Sequence, residues 1–277
     1  MKSLFHFRGR EIINKVPEVT IFFWIIKILC TTVGETAADF LSTNLNWGLT
    51  ATTWVMTAIT LVVLFFQFRA RKYIPGVYWF VVVLISIVGT QITDNLTDNL
   101  GVSLITTTTI FAIVLAIIFA IWYSVEKTLS IHSINTVGRE AFYWLAVLFT
   151  FALGTAAGDL MAERLALGYL TSLFIFAGAI AVVAIAHYAM KAILGAEHKH
   201  MSTNAVLAFW LAYILTRPLG ASIGDYLSQA QTDGGLGLGT TVTSGIFLGA
   251  ILLTVIYLAV SRVDVTTPAE ARAKYID

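Results

Sequence analysis

One pattern recurs four times within apolar stretches of this chain, with the same internal spacing each time: Trp24, Gly34, Ala38, Asp39, Leu41; Trp79, Gly89, Thr93, Asp94, Leu96; Trp144, Gly154, Gly158, Asp159, Met161; Trp210, Gly220, Gly224, Asp225, Leu227. Written as W-x9-G-x3-[small]-D-x-[L/M], its copies lie 55, 65 and 66 residues apart. Self-similarity of this kind marks units that bury their apolar faces only against one another. The repeated aspartate narrows the choice further. An ionisable side chain inside a bilayer costs at least a few kcal/mol and normally faces a bundle interior or a wet cavity.

The sequence outside the motif is that of a membrane chain. Its 277 residues are 58% hydrophobic and 12% charged, with a mean hydropathy of +0.83, which excludes the soluble class. Apolar runs at about 17–42, 48–68, 77–97, 102–124, 141–162, 168–190, 204–228 and 239–261 each approach the roughly 20 residues a spanning helix needs. The expected fold is an all-α integral membrane protein of eight transmembrane helices, arranged as four parallel-repeat helical hairpins. The repeats fall at about 17–70, 75–127, 139–192 and 203–263, within a single membrane domain. Because every hairpin enters from the same side, the pseudo-symmetry axis should run along the membrane normal, giving an approximately fourfold bundle or a dimer of two-hairpin halves. The run after the basic N-terminal residues is too long for a signal-peptide core and is read as the first span. Thr267, Pro268 and Glu270 start a short helix within residues 264–277.

Charge distribution orients the bundle. Of 17 basic residues, 14 fall in the N-terminal segment, around Arg69–Lys72, at Lys127 and Arg139, at Lys191 and Lys199, and at Arg262, Arg272 and Lys274. The positive-inside rule then predicts cytoplasmic termini and cytoplasmic long connections, here in a bacterial inner membrane. Eight of the 16 acids, Asp98, Glu163 and Asp233 among them, lie in or beside the opposite half.

The motif has a physical reading. A glycine and a small residue four apart share a face that lets two membrane helices approach closely. The aspartate follows the small residue and points roughly 100° away from it, so packing and charge occupy different sectors. It also lies about 22 Å along the helix from its Trp, in the outer half of the bilayer if the tryptophans mark the cytoplasmic interfacial belt. Four acids at one depth predict a ring. The plain alternative is that each Asp caps a helix end or bonds a neighbouring backbone. Only the first copy adds Glu35, one turn before Asp39. Lys27 and Arg217 are the expected counter-charges, Lys27 for Glu35 and Arg217 for Asp225 or a diagonal partner, and Thr32 is an accessory polar candidate. Pro218 predicts a kink that exposes carbonyls beside Gly220. Each even-numbered helix opens with a hydroxyl-rich turn, such as Thr50, Thr52 and Thr53.

Several signals carry little. His187 reads as an interfacial residue, and the tract at 197–200 reads as a polar loop. Cys30 is the only cysteine, so neither an intrachain disulfide nor a thiolate metal site can form within one chain. No hydrolase, Walker A or dinucleotide motif is found, and an enzyme is not expected.

The segment KVPEVTIFFWIIKILCTTVGETAADFL, Lys15 to Leu41, together with GTQITDNL, GTAAGDL and RPLGASIGDYL, resembles a bacterial family of uncharacterised multi-pass membrane-anchored proteins. The resemblance covers nearly the whole chain. It implies a multi-pass protein of the bacterial inner membrane and transfers no functional residues. On the residues alone, the expected function is transport of a small hard cation, export more than import, through Glu35, Asp39, Asp94, Asp159 and Asp225 as oxygen ligands or proton carriers. Carboxylates suit Mn²⁺, Mg²⁺, Ca²⁺ or Na⁺, manganese being favoured, and scarce Cys and His disfavour Cu⁺ and Zn²⁺. A passive cation or proton channel and a non-transporting scaffold or sensor subunit are the alternatives. The divalent cation is substrate, and no cofactor is expected. The expected partners are the lipid bilayer and the cation or proton, with no nucleic acid, and a homo-oligomer is compatible with the sequence.

Overall fold

A computed structural model describes residues 14–195 and 201–265. The basic residues before position 14, the tract at 197–200 and the C-terminal helix expected from Thr267 lie outside the described residues. The described chain is helical, with long helices α1 (Ile21–Asp39), α2 (Leu49–Arg69), α3 (Pro75–Asp94), α4 (Leu104–Glu126), α5 (Val137–Asp159), α6 (Tyr169–Leu194), α7 (Met201–Ser228) and α8 (Thr240–Ser261). All eight are long and apolar enough to cross a membrane, as a multi-pass membrane protein requires.

The helices form two layers. Between 56 and 78% of the central residues of α1, α3, α5 and α7 are buried, against 11–22% for α2, α4, α6 and α8. The four odd helices therefore make the inner layer. Large apolar side chains such as Trp54, Phe65, Phe174 and Leu253 are exposed on the even helices, where lipid would cover them.

Contacts among the odd helices close into a ring: α1 with α3, α3 with α5, α5 with α7, and α7 with α1. The repeat glycines set this closure. Gly34 lies against Ser86, Gly89 against Phe151, Gly154 against Arg217, and Gly220 against Thr31. In every case the partner sits three residues before the glycine of the next repeat, so one contact is made four times around the ring. Without a Cβ, each glycine lets its neighbour's backbone come near, which is where tight packing between membrane helices comes from.

The two helices of one repeat are not each other's main packing partners, the α7–α8 pair making only a minor contact. Each even helix lies instead along the odd helix of the following repeat: α2 on α3, α4 on α5, α6 on α7, and α8 back on α1. The turn between them explains the divergence. In the first three repeats the α-helix ends at the motif Asp and continues as a π-helical turn, at Phe40–Asn44, Asn95–Asn99 and Leu160–Arg164. Three even helices are then entered through a glycine with φ of 74–77° and ψ of 156–164°, namely Gly48, Gly168 and Gly239, a region essentially restricted to glycine. The hydroxyls that follow fasten the outer layer to the inner one. Thr50 and Thr53 pair with Asn95, Thr240 with Asn44, and Ser244 with Thr36.

A buried polar network crosses the tryptophan end. Lys15 pairs with Glu140 at 2.6 Å and donates to the Phe68 carbonyl at 3.0 Å, while Gln67 donates to the other Glu140 oxygen at 3.0 Å. Beside it, the Tyr73 hydroxyl donates to Asp264 at 2.6 Å and accepts from Trp79 Nε1 at 3.1 Å. Burial pushes both the Tyr73 and the Asp264 pKa above their ordinary values.

A Cβ at Gly89 would come within 2.6 Å of Phe151 Cβ and 3.2 Å of the Ala152 amide, whereas one at Gly178 meets nothing within 4 Å. Gly89→Ala is accordingly expected to destabilise the bundle by about 1–3 kcal/mol. Gly178→Ala should leave the melting temperature unchanged or slightly raised. Thermal unfolding of both variants in detergent checks this.

Candidate cation site

Because the ring repeats one contact four times, residues at the same distance from each motif glycine occupy the same level. Five residues after the glycine come Asp39, Asp94, Asp159 and Asp225, and one residue after it come Glu35, Thr90, Thr155 and Ala221. All four aspartates and Glu35 line a single cavity of about 390 Å³. Asp98, Glu163, Ser42, Thr43, Thr97 and Gln229 contribute the rest of its polar wall. Within it, carboxylate oxygens of Glu35, Asp159 and Asp225 lie within 4.8 Å of one another, close enough for three ligands of one metal ion.

Charge compensation in this cavity is sparse. Among the described residues, the carboxylates of Asp94, Asp159 and Asp225 make no hydrogen bond and no salt bridge, although Asp225 is only 6% exposed. Asp39 receives one long contact from Gln229 at 3.5 Å. These carboxylates neither cap a helix nor bond a neighbouring backbone, so the plain structural alternative finds no support in their contacts.

Arg217 is not part of the cavity wall but holds Glu35, which is. Fully buried, the arginine pairs with Glu35 at 2.8 Å and donates to the Thr31 carbonyl at 3.0 Å and to Thr155 Oγ1 at 2.7 Å, with Thr90 Oγ1 also in contact. One guanidinium thus touches residues from all three other odd helices, which puts its head group in the middle of the ring. It pairs with Glu35 on the adjacent helix, and not with Asp225 or a diagonal partner as the sequence suggested, because in register with the motif glycine Glu35 lies about one helical turn beyond Arg217, within an arginine's reach, and Asp225 about two. The helix is unbroken through Pro218, and the nearby Thr216 carbonyl accepts a bond from Thr31 at 3.2 Å rather than facing the cavity.

Lys27 is not the counter-charge of Glu35. Its ammonium is fully buried with no hydrogen-bond partner among the described residues, 3.8 Å from the Phe151 ring centre and 4.2 Å from that of Tyr213. Two turns of α1 separate it from Glu35, and Arg217 occupies the place beside that carboxylate. Cation–π attraction is the favourable contact this ammonium has. Thr32 donates to its own helix, to the Ile28 carbonyl at 3.1 Å, and does not line the cavity.

The tryptophans are likewise not a lipid-facing belt. Trp79, Trp144 and Trp210 are buried, and each motif Trp packs at a tilt against the aromatic residue preceding the Trp of the repeat before it. Those contacts are Phe23–Trp79, Tyr78–Trp144, Tyr143–Trp210 and Phe209–Trp24, with ring centroids 5.4–6.2 Å apart. Eight rings seal the ring of helices beyond Lys27. The signal was available, since an aromatic residue precedes the Trp in all four copies. Thr90 and Thr155 were also within reach, as the hydroxyls that replace Glu35 in repeats two and three.

Four segments of the chain, residues 22–73, 77–128, 142–192 and 208–264, match the family described as Repeat of Unknown Function (DUF347). The chain belongs to that family. Each DUF347 match spans one odd helix and the even helix after it, so the family unit is the sequence repeat, while the packing unit joins the even helix of one copy to the odd helix of the next. No curated protein and no solved structure matches this chain.

Glu35→Gln removes one partner of a buried pair and strands the Arg217 charge, which should cost about 3–5 kcal/mol. Asp225→Asn relieves repulsion among close, uncompensated carboxylates and should raise the melting temperature at neutral pH in chelator-treated protein. Unfolding curves of the two variants measured side by side check both directions.

Proposed function

We propose that this DUF347 protein is a membrane carrier for a small hard cation, with Mn²⁺ the favoured substrate, and that it binds the ion among Glu35, Asp159 and Asp225, with Asp39 and Asp94 completing the oxygen shell. One observation carries the reading: Asp225, 94% shielded from solvent, points an unpartnered carboxylate into a cavity shared with six more acids, of which Glu35 alone has a cationic partner among the described residues. Burying a charge without compensation costs several kcal/mol, so the site favours a bound cation or protons. An all-oxygen donor set suits Mn²⁺, Mg²⁺ or Ca²⁺ over softer metals.

In this reading the four copies surround a pseudo-fourfold axis along the membrane normal. The basic connections support, by the positive-inside rule, a tryptophan end facing the cytoplasm of a bacterium and an acidic cavity facing outward. The cycle alternates access to the site: ion release leaves carboxylates in a low dielectric, where proton uptake replaces the lost charge and couples the two fluxes. Arg217, Lys27 and the eight aromatic rings fill the axis between the cavity and the tryptophan end, which favours a carrier over a passive channel.

Purified protein in liposomes should move Mn²⁺ with a counterflow of protons, followed by an entrapped metal indicator and a pH-sensitive dye. Asp159→Asn and Asp225→Asn should each lower the rate at least tenfold while the protein stays folded. A wild type that moves none of Mn²⁺, Mg²⁺, Ca²⁺ or Na⁺ overturns the proposal.

A further inference from the structure

Glu35 has two claims on it. Its carboxylate is one of three that converge within metal-bridging distance, and it is also the carboxylate held by Arg217 at 2.8 Å. A divalent ion bonded to the Glu35 oxygen nearest the guanidinium would sit beside a full positive charge in a site of low dielectric, where like charges repel strongly. The two cations therefore compete for one anion.

The position of Arg217 gives that competition a structural consequence. Three of the four contacts around the odd-helix ring join helices that follow one another in the chain through an intervening even helix. The fourth, between α7 and α1, joins the last repeat to the first. Polar bonds concentrate on that seam: Arg217 to Glu35, Arg217 to the Thr31 carbonyl, and Thr31 to the Thr216 carbonyl. By contrast, the described polar side-chain bonds across α3–α5 are the Tyr78–Tyr143 hydroxyl pair and Thr93 to the Ala152 carbonyl. The side chains at the Arg217 level of the other repeats are Thr31, Ser86 and Phe151, so the guanidinium is unique to the seam. Its Nε is buried with no hydrogen-bond partner, and its terminal nitrogens carry the contacts it does make.

We infer that Arg217 is a tethered counter-ion which occupies the innermost part of the cation site when that site is empty and is driven off Glu35 as the metal loads, loosening the α1–α7 seam. The inference rests on the cation reading and extends it to the residue that sets affinity. Arg217 keeps the empty site near charge balance at its inner end and makes binding weaker than the same carboxylates would otherwise provide. Weak binding serves a carrier, which has to release its ion. Substitution of Arg217 removes the competitor without touching a metal ligand.

The test is Mn²⁺ binding to the full-length protein in nanodiscs, followed by the loss of the free-Mn²⁺ electron paramagnetic resonance signal. Arg217→Gln should tighten Mn²⁺ binding by about tenfold or more. Arg217→Lys keeps the charge but cannot reach the Thr31 carbonyl, Thr155 and Glu35 together, and should tighten binding less; it also serves if the Gln variant fails to fold. In the Glu35→Gln background, replacing Arg217 should no longer tighten binding, because the shared anion is gone. If wild type binds Mn²⁺ and neither folded Arg217 variant binds it more tightly, the tethered counter-ion is overturned while the cation site stands. If neither wild type nor the variants bind any Mn²⁺, the cation site falls and this inference with it. Tight binding in Arg217→Gln over a silent wild type would be its strongest support.

Discussion

Negative charge crowded into one cavity is the constraint to which the rest of this structure answers. Four aspartates and a glutamate share a cavity of about 390 Å³, and one arginine pairs with one of the five. Carboxylates in such surroundings need cations or protons, since desolvation and mutual repulsion both penalise the ionised form. The helical ring holds them there mainly by means that do not involve them. Glycines bring the odd helices together, hydroxyls fasten the even helices on, and aromatic rings close the opposite end. Packing is done elsewhere, and among the five it is chiefly Glu35, through Arg217, that ties helices together.

Repetition makes the ring and departures from it make the site. At the level just after the motif glycine, the side chains are Glu35, Thr90, Thr155 and Ala221, and three residues before it they are Thr31, Ser86, Phe151 and Arg217. A single acid from the first copy and a single base from the last meet where the first and last repeats come together. A strictly fourfold sequence would put four arginines or none at the centre. Divergence of the copies allows one charge where symmetry would demand four, and gives the α1–α7 contact a character the other three lack.

Much of the architecture was legible in the residues. The eight runs of apolar sequence end within a few residues of the helices, and the convergence of the four aspartates follows from their shared register with the motif glycine, with Glu35 one turn from Asp39. The lower apolar content of the odd helices already marks them as the inner layer. Closure was not legible, because a spacing of 55 to 66 residues says that units are equivalent and not which neighbour each touches. For the same reason the exchange of even helices between copies could not be read. Arg217 and Glu35 are 182 residues apart, and only the closed ring makes them neighbours. The tryptophans misled because an amphipathic ring near a helix end ordinarily seeks the lipid interface; here the aromatic residue before each one provides an interior partner.

The account stands on a cation residing among these carboxylates, and the most direct measurement is anomalous scattering from crystals of the full-length protein grown with Mn²⁺. It predicts a single strong peak inside the cavity, about 2.0–2.6 Å from oxygens of Glu35, Asp159 and Asp225. A cavity with no anomalous peak at saturating Mn²⁺, or peaks confined to the exposed acids of the loops, would contradict it.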